Sequence, residues 1–216
     1  MKSDRQLQED VLAELAYEQS VNSAHIGVTA KDGVVTLSGF VKTFSEKRGA
    51  ETATKRVAGV RGIAEELKVE MPLLHRRNDA DIARAALHAL EWDVSIPRDK
   101  IQVQVESGWL TLSGEVEYFY QKLNAEEDMG RLAGVGGVSN KMTINPPVST
   151  VAVKNEIEKE FKRHAAIDAS HIQVEAQGGI VTLKGKVPSW GEREEAVHAA
   201  LLAAGVTDVI DNLSIG

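Results

Sequence analysis

A seven-residue phrase occurs three times in this chain: Gly33-Val-Val-Thr-Leu-Ser-Gly39, Gly108-Trp-Leu-Thr-Leu-Ser-Gly114 and Gly179-Ile-Val-Thr-Leu-Lys-Gly185. The offsets are 75 and 71 residues. Solenoid units repeat at roughly 20–50 residues, so a period this long indicates three copies of a small domain. The 216 residues divide into units 1–72, 73–147 and 148–216. A unit of this size lies near the lower limit for a self-sufficient core, which makes contacts between units a source of stability.

Aligning the copies on their glycines brings the remaining elements into register. Leu7-Val11-Leu15, Ile82-Ala86-Leu90 and Val153-Ile157-Phe161 form i, i+4, i+8 stripes and predict an amphipathic first helix. Asp4, Asp79 and Ser149 or Thr150 are expected to cap it. A single apolar anchor follows: Val21, Ile96 or Ile167. Two alternating strands are then joined at Asp32-Gly33, Ser107-Gly108 or Gly178-Gly179, each a hairpin signal. The second strand is expected to end at Gly39, Gly114 or Gly185, where a glycine marks a bulge or a close backbone approach. A second helix is expected to follow Phe44, Phe119 or Trp190, with the aromatic as a staple, and to close with Gly59, Gly134 or Gly205 at C′. A third strand begins near Ile63, Val138 or Val209. The fold class is α+β. Each of the three tandem units reads α-β-β-α-β, a three-stranded sheet with both helices on one face. Pro72 and Pro146-Pro147 mark the seams between units.

Composition narrows the function. There is no cysteine, which removes disulfides, thiolate nucleophiles and cysteine-based zinc sites. Lys and Arg stand against Asp and Glu at 10 to 11, 8 to 11 and 7 to 10 in the three units. No unit is basic, so nucleic acid is not an expected partner. No stretch reaches the roughly 18 apolar residues of a membrane span. The polar N-terminus points to a cytoplasmic protein; the alternative is a mature periplasmic chain expressed behind a new Met1.

The six histidines make no i, i+4 pair. His25 and His171 share a repeat position, yet Lys100 replaces them in the middle unit. A catalytic or ligating histidine would not be so replaceable, so neither catalysis nor a bound cofactor or metal is expected.

The α-β-β-α-β unit resembles the BON domain through the G-x-V/L-T-L-S/K-G strand, the Ala-Gly-Val at 58–60, 133–135 and 204–206, and the apolar closing strand. The resemblance covers nearly the whole chain. It implies a non-enzymatic binding or scaffolding module tied to osmotic or envelope stress and associated with phospholipid surfaces. A potassium-binding member of the family supplies an alternative, small-cation sensing; a protein–protein scaffold or chaperone is a third.

Three sets of residues are candidates for binding. Lys47, Arg48, Lys55 and Arg56 decorate the second helix of the first unit and would suit anionic phospholipid. Tyr118 and Tyr120 have no aromatic counterparts in the other units and are expected at the surface, as strand-to-helix residues or as interfacial anchors. Val34, Trp109 and Ile180 occupy the first outward position of the second strand. An apolar residue there in all three units is unusual for a wet sheet face. It implies either burial against a neighbouring unit or a surface for a partner.

Overall fold

The computed structural model describes residues 2–145, 153–163, 167 and 169–216. Pro146-Pro147, Ser149, Thr150 and His164 lie outside the described residues.

The first unit runs α1 (Asp4–Tyr17), β1 (Ile26–Lys31), β2 (Val34–Val41), α2 (Phe44–Arg56) and β3 (Gly62–Val69). The second runs α3 (Asp79–Trp92), β4 (Ile101–Glu106), β5 (Trp109–Val116), α4 (Phe119–Gly130), then β6 (Gly137–Asn140) and β7 (Thr143–Ile144), two halves of one interrupted strand. The third runs α5 (Val153–Arg163), β8 (Ile172–Gln177), β9 (Ile180–Val187), α6 (Trp190–Leu201) and β10 (Asp208–Ile215). In each unit the hairpin is antiparallel, and the strand after the second helix pairs in parallel with the hairpin's second strand. The α+β class and the three-fold α-β-β-α-β order hold.

Each unit has its own core. The three helical stripes are buried, as their spacing predicts, against the inward residues of the sheet, including Val35 and Leu37, Leu110 and Leu112, and Val181 and Leu183. Removing about 25 cal/mol per Å² of apolar surface from water drives this packing. The hairpin turns have positive φ at both central residues: Asp32 and Gly33, Ser107 and Gly108, Gly178 and Gly179. That is the type I′ geometry that matches the twist of the strands.

Four local expectations are corrected. The caps of α1 and α3 are Ser3 and Asn78, whose side chains accept from the N–H of Gln6 and Asp81. Asp4 and Asp79 stand one residue later and reach across to the hairpin: Asp4 accepts from the Asp32 N–H at 2.9 Å, and Asp79 from the Ser107 and Gly108 N–H groups at 2.8 Å each. Each thus ties a first helix to a turn.

The second strand does not end at its glycine. It runs two residues further, to a buried Val41, Val116 or Val187. Gly39, Gly114 and Gly185 sit at φ +110°, +123° and +140°, and a Cβ on them would stand 2.1, 2.0 and 2.0 Å from the carbonyl oxygen of His25, Lys100 and His171. A close backbone approach excludes any side chain there. What the three units share at that repeat position is the carbonyl, so histidine and lysine can interchange there.

The second helices start on the aromatic and stop at Arg56, Gly130 and Leu201. Gly59, Gly134 and Gly205 lie three or four residues later, as the third residue of turns closed by Val60 N–H to Val57, Val135 to Leu132 and Val206 to Ala203. Positive φ at that place is a type II turn requirement, not a helix C′.

Two of the three aromatics pack across to another unit and not as staples on their own helices. Phe44 packs against the hydrophobic core of the second unit, and the Phe119 ring meets His198 of the third edge-on, centroids 6.0 Å apart.

Candidate binding surfaces

The outward sheet faces are open. Val34, Trp109 and Ile180 are 45, 51 and 42% exposed. Alternation along the strand places them opposite the core, flanked by the half-buried Thr36, Thr111 and Thr182. The expectation that neighbouring units cover these positions is corrected: the units meet through their second helices instead, because those helices carry the side chains that bridge between cores. Trp109 lies over Gly137, where a Cβ would stand 2.3 Å from its ring, and its Nε1 donates to Ser139 Oγ at 2.8 Å. Ile180 is opposite Asp208 in the parallel register, two residue pairs from the exposed Ile210.

The cations proposed for α2 are all engaged. Lys47 pairs with Glu65 at 2.5 Å and donates to the Leu67 carbonyl, tying α2 to β3. Arg56 bridges Glu14 and Glu18 of α1 at 2.9 and 2.7 Å. Arg48 reaches Glu126 of α4 at 3.3 Å, and Lys55 reaches Glu194 of α6 at 2.6 Å and Glu51 at 3.0 Å. Burial opposes the charge on Lys55, but its bonds to Glu194 and Glu51 outweigh that and hold its pKa above the usual lysine value. Two of the four thus join a helix to its own unit and two join the first unit to its neighbours.

These links close a cycle. The N-terminal end of α2 meets the C-terminal end of α4: Ser45 Oγ donates to the Gly130 carbonyl at 2.9 Å beside Phe44. The N-terminal end of α4 meets α6 through Phe119 and His198. The N-terminal part of α6 returns to α2 through Glu194 and Lys55. Between the three helices lies an open cleft of about 870 Å³, lined in part by Thr52, Glu127 and His198, one repeat position seen three times. Tyr118 and Tyr120 are 37 and 41% exposed and stacked at 5.7 Å. They line the seam between the second and third units, against Leu202 and Val206.

Among the described residues no group of three or more histidine and carboxylate side chains could hold a metal ion. No helix there is long and apolar enough to cross a membrane.

The BON domain model matches residues 3–71, 78–146 and 149–216. The chain belongs to the BON family. Osmotically-inducible protein Y of Escherichia coli (strain K12) is 29% identical over 136 residues, covering 61% of this chain and 68% of that protein. Among solved structures, CdsD, a structural protein of the type III secretion system of Chlamydia trachomatis, is 15% identical over 96% of this chain and 91% of that one, with a TM-score of 0.26. Its C-terminal domain gives 14% identity and 0.27 with full coverage of both chains. A likeness that loose carries no weight for fold or function. The chain thus carries three BON units, with Val34, Trp109 and Ile180 exposed on their outward sheet faces.

The sequence alone did not disclose the inter-unit contacts of Phe44 and Phe119. Their common repeat position was visible, but its partners lie in other units, where local periodicity gives no signal.

Proposed function

We propose that the protein acts without catalysis as a stress-linked binding scaffold, presenting its three outward sheet faces to protein partners. The observation that carries this reading is the exposure of Val34, Trp109 and Ile180 at one repeat position in three units. Apolar side chains on an uncovered strand offer a partner area to remove from water, and three such faces on one chain offer avidity. The resemblance to an osmotically-inducible protein supports the stress setting. The cations Lys47, Arg48, Lys55 and Arg56 make ion pairs within the protein, so they add less to the reading than the sheet faces do.

The test is a triple variant, Val34→Thr, Trp109→Thr, Ile180→Thr, compared with the parent for its ability to keep a chemically denatured model protein in solution, followed by light scattering on dilution. Threonine keeps strand propensity while removing apolar area. Single variants should each lose part of the suppression and the triple variant nearly all of it. A triple variant with native circular dichroism that suppresses aggregation as well as the parent would end this reading.

A further inference from the structure

The two covalently consecutive seams are built from the same repeat positions, yet they are chemically opposite. At the seam between the first and second units, a cavity of about 340 Å³ is lined by Lys42, Thr43 and Ser45 on one side and by the segment Gly130–Val135, including Arg131, on the other, with Met71 and His75 closing it. At the seam between the second and third units, the equivalent positions are Glu117, Tyr118 and Tyr120 against Leu201–Ala203, Gly205 and Val206, and only about 30 Å³ is left. Lysine has become glutamate, arginine has become leucine, and two small hydroxyl residues have become tyrosines. One seam is filled; the other is hollow and basic.

No carboxylate lines the hollow seam, in a chain of net charge −7. Arg131 has Glu127 at 3.2 Å and Asp128 at 3.9 Å on its own helix, which leaves most of its five donors unused. No ion-pair partner for Lys42 or His75 occurs among the described residues. The N-terminal end of α2 and the C-terminal end of α4 face each other across the seam, so their dipoles offset and the positive charge there is that of the side chains. Arg76 and Arg77 follow directly in the connecting segment, and Leu73 and Leu74 beside them are 80 and 83% exposed.

We propose that this seam is a binding site for a phosphate group, held by Lys42, Arg131 and His75 with the hydroxyl of Thr43. Arginine supplies planar paired donors and lysine a point charge, the combination that suits phosphate oxygens. The phosphate belongs either to a soluble monoester or to a lipid headgroup, for which Leu73 and Leu74 would meet the apolar phase. This site is separate from the sheet faces and stands independently of the scaffold reading.

Inorganic phosphate titrated into the isotope-labelled full-length chain should shift the amide signals of residues 43–45 and 131–135, while those of 118–120 and 202–206 at the other seam stay in place. Lys42→Gln with Arg131→Gln should weaken that response at least about tenfold, the effect of losing one or two charge-assisted bonds. Lys154→Gln with Lys159→Gln, which removes the same charge from α5, should not. Both side chains at the seam are at the surface, so matched thermal melting of the variant is expected. Flotation with phosphatidylglycerol and phosphatidylcholine vesicles separates the two sources. Flotation that depends on phosphatidylglycerol and is lost in the seam variant assigns a headgroup; phosphate shifts without such flotation assign a soluble ligand. Absent shifts at the seam, shifts unchanged in the seam variant, or equal weakening in the α5 control would overturn the proposal.

Discussion

The ring of Phe44 in the first unit rests on Gly130 of the second: a Cβ built at position 130 would stand 3.5 Å from Phe44 Cδ1. The contact joins two cores that the sequence separates by 86 residues. Phe44→Ala should cost about 2 kcal/mol, roughly half the loss for a fully buried phenylalanine, because the ring is half-buried. Amide hydrogen exchange checks it: the segment Gly130–Val135 should exchange faster while the core of α3 is unchanged.

Position 130 itself should tolerate alanine. The new Cβ would make ordinary van der Waals contact with the ring, and Gly130 is not among the positive-φ glycines. Gly130→Ala should be neutral or stabilising by up to about 1 kcal/mol, the helix propensity difference. Gly114→Ala should be the opposite: at φ +123° and 2.0 Å from the Lys100 oxygen it should cost about 3 kcal/mol or more. Urea titration of the two variants, followed by circular dichroism, should separate them clearly.

The α1–α2 clamp of the first unit should respond to acid. The Arg56 guanidinium, with the Ser20 hydroxyl and N–H, holds the Glu18 carboxyl down at about 2, from 4.5. A carboxyl depressed in the folded state contributes stability that is complete above its unfolded value and is lost as pH falls through its folded one. The loss therefore runs from about 4.5 down to about 2. Arg56→Met should lower stability at neutral pH and flatten its pH dependence across that window. Thermal melts at stepped pH would show both effects; an unchanged slope in the variant would refute the assignment.

The closing seam should respond to salt. Lys55 and Glu194 lie 139 positions apart and their 2.6 Å contact joins the first unit to the third. A double-mutant cycle of Lys55→Met and Glu194→Gln should give a coupling of about 1 kcal/mol at low salt. That coupling should shrink towards zero near 1 M, where the screening length is about 3 Å. Sodium and potassium chloride should act alike, since screening does not distinguish them.

The architecture was legible because every element recurs: stripes such as Leu7-Val11-Leu15 and the hairpin turns needed no long-range knowledge. Caps were harder. Ser3-Asp4 and Asn78-Asp79 each place two capping residues side by side, and the choice is settled by the hairpin, whose N–H groups claim the aspartate. The sheet-face residues could be named but not assigned a fate, since whether Trp109 is covered depends on how whole units dock. The basic seam was less visible still. Lys42 against Glu117 and Arg131 against Leu202 differ in plain sight, but nothing in the sequence says that positions so far apart line one cavity.

Each seam joins unlike ends, the aromatic start of one second helix to the tail of the next. Phe44 meets Gly130, Phe119 meets His198, and Trp190 opens on the cleft that holds Thr52 and Lys55. Head-to-tail contacts of this kind grow into filaments unless the rotation closes, and three steps close it here. Covalent linkage therefore gives one chain the geometry of a cyclic trimer, with no need for a second chain to find it at low concentration. Freed from the constraint that identical subunits share identical surfaces, the three joints could then diverge: one filled with tyrosine, one clasped by lysine, one left hollow.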